Sequence, residues 1–193
     1  MSQLSFDLVI VGVGGQGTLL ASKIIGKLAL SAGLGVKVSE VHGMSQRGGS
    51  VITHVRVGDA VHAPLVSLGA ADYLISFEAL EAARAAAYLK EGGIAIVNTQ
   101  RILPMPVITG AAAYPADPLT GPPLSDHVVE AVDALTLAVE AGSQKAVNLV
   151  LLGRLSRHLA FEEEAWKHAI ASSVPRATFA TNSKAFEAGR VQA

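Results

Sequence analysis

One junction constrains the fold more than any other stretch. A mostly apolar run, Asp7-Leu8-Val9-Ile10-Val11, ends in Gly12-Val13-Gly14-Gly15-Gln16-Gly17, and a helical pattern starts at once. A short β-branched run closed by glycines reads as a strand buried on both faces, as in a parallel sheet. Leu20, Ile24 and Leu28 then recur at helical spacing up to Gly33, a natural stop. Gly35 to Val41 reads as a second strand, so the segment predicts a strand–helix–strand unit with a right-handed crossover.

The same reading carries on down the chain. Ser50 to Val57 alternates, with Val51, Thr53, Val55 and Val57 on one face, and the Gly58-Asp59 turn suggests a hairpin into Ala60-Val61-His62. Asp72 to Phe77 reads as a buried strand, Glu78 to Lys90 as an alanine-rich helix, and Ile94 to Val97 as a strand after Gly92-Gly93. The stretch from Ile102 to Pro123 holds six of the eight prolines and reads as extended loop with short strands. Helices are expected over about 125–140, 145–158 and 162–168, and from near Asn182. The expectation is one α/β domain over residues 1–193, with a Rossmann-like mixed, mostly parallel sheet layered by helices and a helical C-terminal end.

Composition narrows the function. Of 193 residues half are apolar and 16% are charged, and 15 Lys+Arg against 16 Asp+Glu leave a net charge of −1. This is too apolar for a disordered chain, and no basic excess points to nucleic acid or an anionic membrane. There is no cysteine, so the chain supplies no thiolate for an iron–sulfur cluster, no disulfide and no thiol nucleophile. Apolar runs of only a few residues fall short of a span of about 20, and residues 1–5 show no signal-peptide pattern. A cytoplasmic location is expected. The high apolar content with low charge points to a surface partly covered by a partner.

Gly12 to Gly17 matches G-x-G-x-x-G after a strand and at a helix start, where Gly12, Gly14, Gly15, Gln16 and Gly17 are candidates for binding a cofactor's phosphate. A tight turn without a nucleotide explains the glycines equally well. Glu40 is the acidic residue a dinucleotide site would use, but it directly precedes the next loop. Thr18 follows Gly17 directly, with no lysine there to reach the phosphates, so this is no P-loop. The loop His42-Gly43-Met44-Ser45-Gln46-Arg47-Gly48-Gly49 sets an imidazole, a hydroxyl, an amide and a guanidinium among glycines at the carboxyl end of a strand. Its chemistry fits a ligand site and a subunit contact equally, with Arg47 suited to a carboxylate or phosphate. Gly43 to Arg47 falls short of a nucleophile elbow because Arg47 stands where glycine is needed. The six histidines show no metal-ligand spacing. Glu162-Glu163-Glu164 reads as a solvated helix start and Asn148, amid apolar residues, as a satisfied core asparagine or an exposed one.

Gly12-Val13-Gly14-Gly15-Gln16-Gly17, then Ser39-Glu40-Val41-His42-Gly43-Met44-Ser45-Gln46-Arg47-Gly48-Gly49, then Asn98-Thr99, resemble the gamma-type domain of the 2-oxoacid:ferredoxin oxidoreductases, in the short beta-subunit form of the indolepyruvate branch. The glycine turn is shared across the broader family, and the His42–Gly49 loop points to the indolepyruvate branch. The resemblance implies an enzyme that decarboxylates arylpyruvates to aryl-acetyl-coenzyme A with ferredoxin as electron acceptor. It implies that thiamine diphosphate, magnesium and iron–sulfur clusters sit on a larger catalytic alpha subunit. It also implies that this chain packs on that subunit, in a heterodimer or a dimer of heterodimers, and helps enclose coenzyme A or substrate. No catalytic residue and no metal ligand is assigned to the chain itself. Arg47 is expected at the contact with the catalytic subunit. The pyruvate, 2-ketoisovalerate and 2-oxoglutarate branches, a purely structural subunit and a stand-alone NAD-dependent dehydrogenase remain alternatives.

Overall fold

A computed structural model describes residues 4–43 and 48–191, so Met44, Ser45, Gln46 and Arg47 of the predicted loop lie outside the described residues. Among the described residues six strands form one sheet: β1 Phe6–Val13, β2 Gly35–His42, β3 Ser50–Gly58, β4 Ala71–Ser76, β5 Leu89–Asn98 and β6 Val128–Val132. Their spatial order is β2-β3-β1-β4-β5-β6. The pairs β1–β4, β4–β5 and β5–β6 are parallel. Strand β3 is antiparallel to both its neighbours, β1 and β2. The sheet is thus mixed and mostly parallel.

Alternation along β1 explains the layers, because successive side chains point to opposite faces. Leu8 and Ile10 enter one core with α1 (Thr18–Ser31) and the C-terminal helices α4 (Ala134–Glu140), α5 (Val147–Leu155), α6 (Glu163–Ala171) and α7 (Phe179–Val191). Val9 and Val11 enter the other core, beneath α2 (Ala79–Ala85) and Leu124. Helix α5 is buried at every residue but Arg154. Its Gly153 and the Gly189 of α7 bring the two helix backbones into contact: a Cβ on either would lie 2.0 Å from a carbonyl oxygen of the other helix. No helix among the described residues is long and apolar enough to cross a membrane.

Several expected elements are corrected. Strands β1 and β2 run the same way but are not neighbours, because β3 lies between them. The hairpin is β2–β3; residues 60–62 form no strand, since both edges of β3 are already paired. The alanine-rich helix stops at Ala85, and a 3₁₀ turn follows over Ala86–Tyr88. Leu89 already pairs with Ala71, across a bulge before Tyr73–Ile94 pairing resumes. A Cβ on Gly93 would come within 3.0 Å of the Ala71 carbonyl oxygen, which only glycine avoids at that bulge. The proline-rich stretch holds a four-residue helix, α3 (Met105–Ile108), instead of short strands. The helix expected from about residue 125 is first a strand: Val128–Val132 pairs with the edge of β5, and only after Asp133 caps the Thr136 N–H does α4 begin. The last helix begins at Phe179, ahead of Asn182.

Candidate functional site

The glycine turn sits at the carboxyl end of β1, where open α/β sheets gather ligands. Gly15 and Gly17 adopt φ +103° and +95°, a left-handed region that only glycine enters freely. Gly12 is glycine for another reason. A Cβ there would lie 2.9 Å from both the Phe77 Cβ and the Gln16 Oε1. Gln16 closes the turn from inside, its Oε1 accepting the Val13 N–H at 2.7 Å while its Nε2 donates to the Phe77 carbonyl at 3.1 Å.

Around that turn lies a lattice of neutral amides. Asn98, fully buried at the end of β5, donates to the Phe77 carbonyl at 3.1 Å and accepts the Ala134 N–H at 3.2 Å. Longer contacts at 3.5 and 3.4 Å join Gln16 and Asn98 to the Gln100 Oε1. Asn148, buried at the start of α5, donates to the Gly17 carbonyl at 3.4 Å and accepts the Leu149 N–H at 3.0 Å. Buried backbone groups need partners, and amides supply both senses of hydrogen bond without burying charge. Sequence reasoning assigned no role to Gln100 or Phe77, and no local pattern exposes them. The pairing of β5 with β4 and β6 brings Asn98 to this edge.

The two predicted segments meet. The Gly14 N–H donates to the Gly49 carbonyl at 2.8 Å, and the Gly48 N–H to the Gly14 carbonyl at 3.4 Å. His42 ends β2, exposed, with Nδ1 3.0 Å from the Gly43 carbonyl oxygen. The chain therefore leaves the edge strand at Gly43 and returns beside the glycine turn at Gly48. Glu40 lies on β2, where it accepts from Thr53 Oγ1 at 3.2 Å. With β3 interposed, Glu40 stands two strand spacings from β1, about 10 Å, whereas a dinucleotide fold sets its acidic strand next to β1.

Clefts flank the turn on both sides. One, of about 430 Å³, is lined by Gly14, Gly15, Gly17, Glu40 and His42. The other, of about 490 Å³, runs from Gly15 and Gln16 past Gln100 to Lys145 and Asn148. A cleft of about 420 Å³ at the opposite end of the sheet is bordered by the ion pairs Arg56–Asp7 and Lys90–Asp72, and among the described residues none of the predicted site residues lines it. Beyond the amides, Glu78 is a buried carboxylate that accepts from the N–H groups of Glu81 and Ile102 at 2.9 and 3.1 Å and from the Tyr114 hydroxyl at 2.5 Å. Burial and that carboxylate push the Tyr114 phenol well above its ordinary range. Glu78 thereby ties the segment after β5 to the start of α2.

Comparison with known proteins agrees with this architecture. The indolepyruvate oxidoreductase subunit IorB of Thermococcus kodakarensis is 46% identical over an alignment that covers 95% of this chain and 94% of that one. The subunit of the same name from Archaeoglobus fulgidus is 41% identical over 98% of this chain and 96% of its own. Among solved structures, a keto/oxoacid ferredoxin oxidoreductase gamma subunit from Geobacter sulfurreducens superposes with a TM-score of 0.70 at 25% identity, covering 96% of both chains. A 2-oxoglutarate:ferredoxin oxidoreductase from Magnetococcus marinus shares the fold at a TM-score of 0.73 and 19% identity; the match covers 97% of this chain and 30% of that one. Residues 7–192 match the family described as pyruvate ferredoxin/flavodoxin oxidoreductase, and the chain belongs to that family.

Proposed function

We propose that the chain is the accessory subunit of an oxidoreductase that converts arylpyruvates, indolepyruvate foremost, to aryl-acetyl-coenzyme A. One carbon leaves as carbon dioxide and two electrons pass to ferredoxin. The observation that carries this is near full-length similarity to subunits of indolepyruvate oxidoreductases.

The chain's own residues do not fit the cofactors of such a reaction. It has no cysteine for a cluster, and its only asparagines are Asn98, Asn148 and Asn182. Asn98 and Asn148 are spent on backbone groups of the carboxyl edge. Among the described residues no group of three His, Asp or Glu side chains stands ready for a metal ion. The proposal therefore assigns thiamine diphosphate, magnesium and the clusters to a larger catalytic subunit in a cytoplasmic heterodimer or dimer of heterodimers.

What this chain contributes is the carboxyl edge. Gly12, Gly14, Gly15, Gln16 and Gly17 form a rigid turn whose clefts face the coenzyme A or substrate entrance of the catalytic subunit. The His42–Gly49 loop, anchored at its return by Gly14, docks there through Arg47. A stand-alone NAD-dependent dehydrogenase is disfavoured by that same near full-length similarity, while Glu40, which lines one cleft with the glycine turn, does not separate the two readings.

The test is co-expression with the catalytic subunit, followed by arylpyruvate-dependent reduction of a viologen dye. The complex is expected to be active and the isolated chain inactive; turnover by the isolated chain overturns the proposal. In the complex, Arg47→Ala that blocks assembly supports the docking role. Intact assembly with a raised coenzyme A requirement supports a ligand role, and normal assembly with normal kinetics removes both.

A further inference from the structure

A cleft of about 620 Å³ opens on the same edge, between the Gly48–Gly49 return, the start of α2 and the segment from Ile102 to Ile108. Its walls differ in kind. One is apolar, and three of its large side chains face outward: Leu103, Met105 and Ile108 are 50, 66 and 62% exposed. The wall is also held in place, because Glu78 accepts the Ile102 N–H and the Tyr114 hydroxyl. Arg101 lies over the Tyr114 ring at 5.6 Å and donates to the Ala116 carbonyl at 3.0 Å.

The facing wall carries Glu81, only 5% exposed. One of its oxygens accepts from Ser50 Oγ at 2.5 Å and the other from Arg84 Nη1 at 2.6 Å. A carboxylate offers about four acceptor positions, so roughly two remain on Glu81. Its charge is already balanced by Arg84. A second anion entering the cleft would meet both Glu78 and Glu81, and a plain hydrocarbon would strand the remaining acceptors away from water. The arrangement suits a flat apolar group that carries one N–H or O–H donor.

We propose that this cleft receives the aromatic side chain of the arylpyruvate. The ring lies against Leu103, Met105 and Ile108, and the indole N–H donates to Glu81. The inference rests on the functional reading above and deepens it: a subunit with no chemistry of its own selects which aryl group is turned over. Glu81 is then a specificity-determining residue, because a site built to hydrogen-bond a donor discriminates against the analogue that lacks it.

The experiment uses the complex with the catalytic subunit and compares kcat/KM for indolepyruvate and phenylpyruvate, whose ring has no donor. Glu81→Met is expected to lower the indole-to-phenyl ratio about tenfold or more. The exposed pair Met105→Ala and Ile108→Ala, which does not threaten the fold, is expected to raise KM for both substrates about tenfold with assembly intact. Calorimetric titration with free indole reads the cleft without turnover, and Glu81→Met is expected to weaken that binding by a similar factor. An active complex whose ratio and indole affinity ignore Glu81 overturns the cleft assignment alone. A complex inactive on arylpyruvates that still binds indole through Glu81 overturns the functional reading and leaves the cleft as an aromatic site. Loss of assembly in the Met105→Ala, Ile108→Ala pair shows the wall to be covered by protein, and the ligand assignment falls.

Discussion

Replacing Gly153 with alanine sets two well-understood effects against each other. In a helix interior, glycine to alanine gains about 1 kcal/mol of propensity. At Gly153, however, the added Cβ would lie 2.0 Å from the Phe186 carbonyl oxygen, 2.9 Å from its carbon and 3.2 Å from the Arg190 nitrogen. Carbon–oxygen contacts close at about 3.3 Å, so α5 and α7 must part by roughly 1.3 Å. All three obstacles are backbone, so no side chain can rotate away. Parting the helices opens a gap along an interface that includes Leu149, Val150 and Phe186, all at most 1% exposed. A radial gap of 0.5–1 Å already forfeits about a quarter to a half of each dispersion contact. Overpacking of this kind costs about 3 kcal/mol or more, leaving a net loss of about 2–3 kcal/mol after the propensity gain. For a chain of this length that lowers the unfolding midpoint by roughly 5–10 °C. Gly26 in α1 is the control: a Cβ there meets nothing within 4 Å. Gly26→Ala should therefore raise the midpoint by about 2–4 °C. Thermal unfolding followed by far-ultraviolet circular dichroism reads both. If Gly153→Ala unfolds at or above the parent midpoint, the close helix contact does not exist as described.

Asn98→Leu keeps the branched shape but leaves the buried Ala134 N–H without its acceptor, so stability should drop by about 1–3 kcal/mol or more in urea unfolding, with faster amide exchange at Ala134. Gly15→Ala and Gly17→Ala both impose a left-handed alanine at about 1–2 kcal/mol. Gly17→Ala should cost more, because its Cβ would also lie 2.9 Å from Asn148 Nδ2 whereas Gly15 has open space, and equal midpoints for the two would refute the Asn148 contact. Burial holds the His54 imidazole below its ordinary value, with Nδ1 accepting the Val66 N–H at 3.3 Å. Its contribution is present above the unfolded value of about 6.5 and is lost as pH falls through the folded value. A nuclear magnetic resonance titration should place His54 below free histidine, and a midpoint at or above 6.5 would contradict its burial.

The parts of this fold legible in the sequence are those decided within a few residues. Strand β1, the glycine turn and α1 follow from a β-branched run, positions that demand positive φ, and a stripe at helical spacing. What stayed hidden was decided by distant partners. Val128–Val132 carries apolar residues on both strand and helix periods, and the free edge of β5 settles it as a strand. The Asp133 cap, whose Oδ1 accepts the Thr136 N–H at 3.2 Å, marks the boundary and was a readable signal. The place of β3 between β1 and β2 has no local signature, yet it sets Glu40 two strands from β1, across the cleft that Glu40 and the glycine turn both line. The site shows the same division. Gly15 and Gly17 announce themselves through their conformational demand, but Gly12 is glycine because of Phe77, and Gly17 is pressed by Asn148, 131 positions away. The lattice that joins these groups is uncharged: Gln16, Asn98, Gln100 and Asn148 satisfy backbone groups at a depth where an unpaired charge would cost several kcal/mol. The amide lattice is itself uncharged, and the buried charges near it are the carboxylates of Glu78 and Glu81 beside the apolar cleft. Glu81 with Arg84 borders the apolar cleft, and Lys145 borders the other. Among the described residues the edge thus combines a rigid frame of amides with the charges of Glu81, Arg84 and Lys145 at its margin.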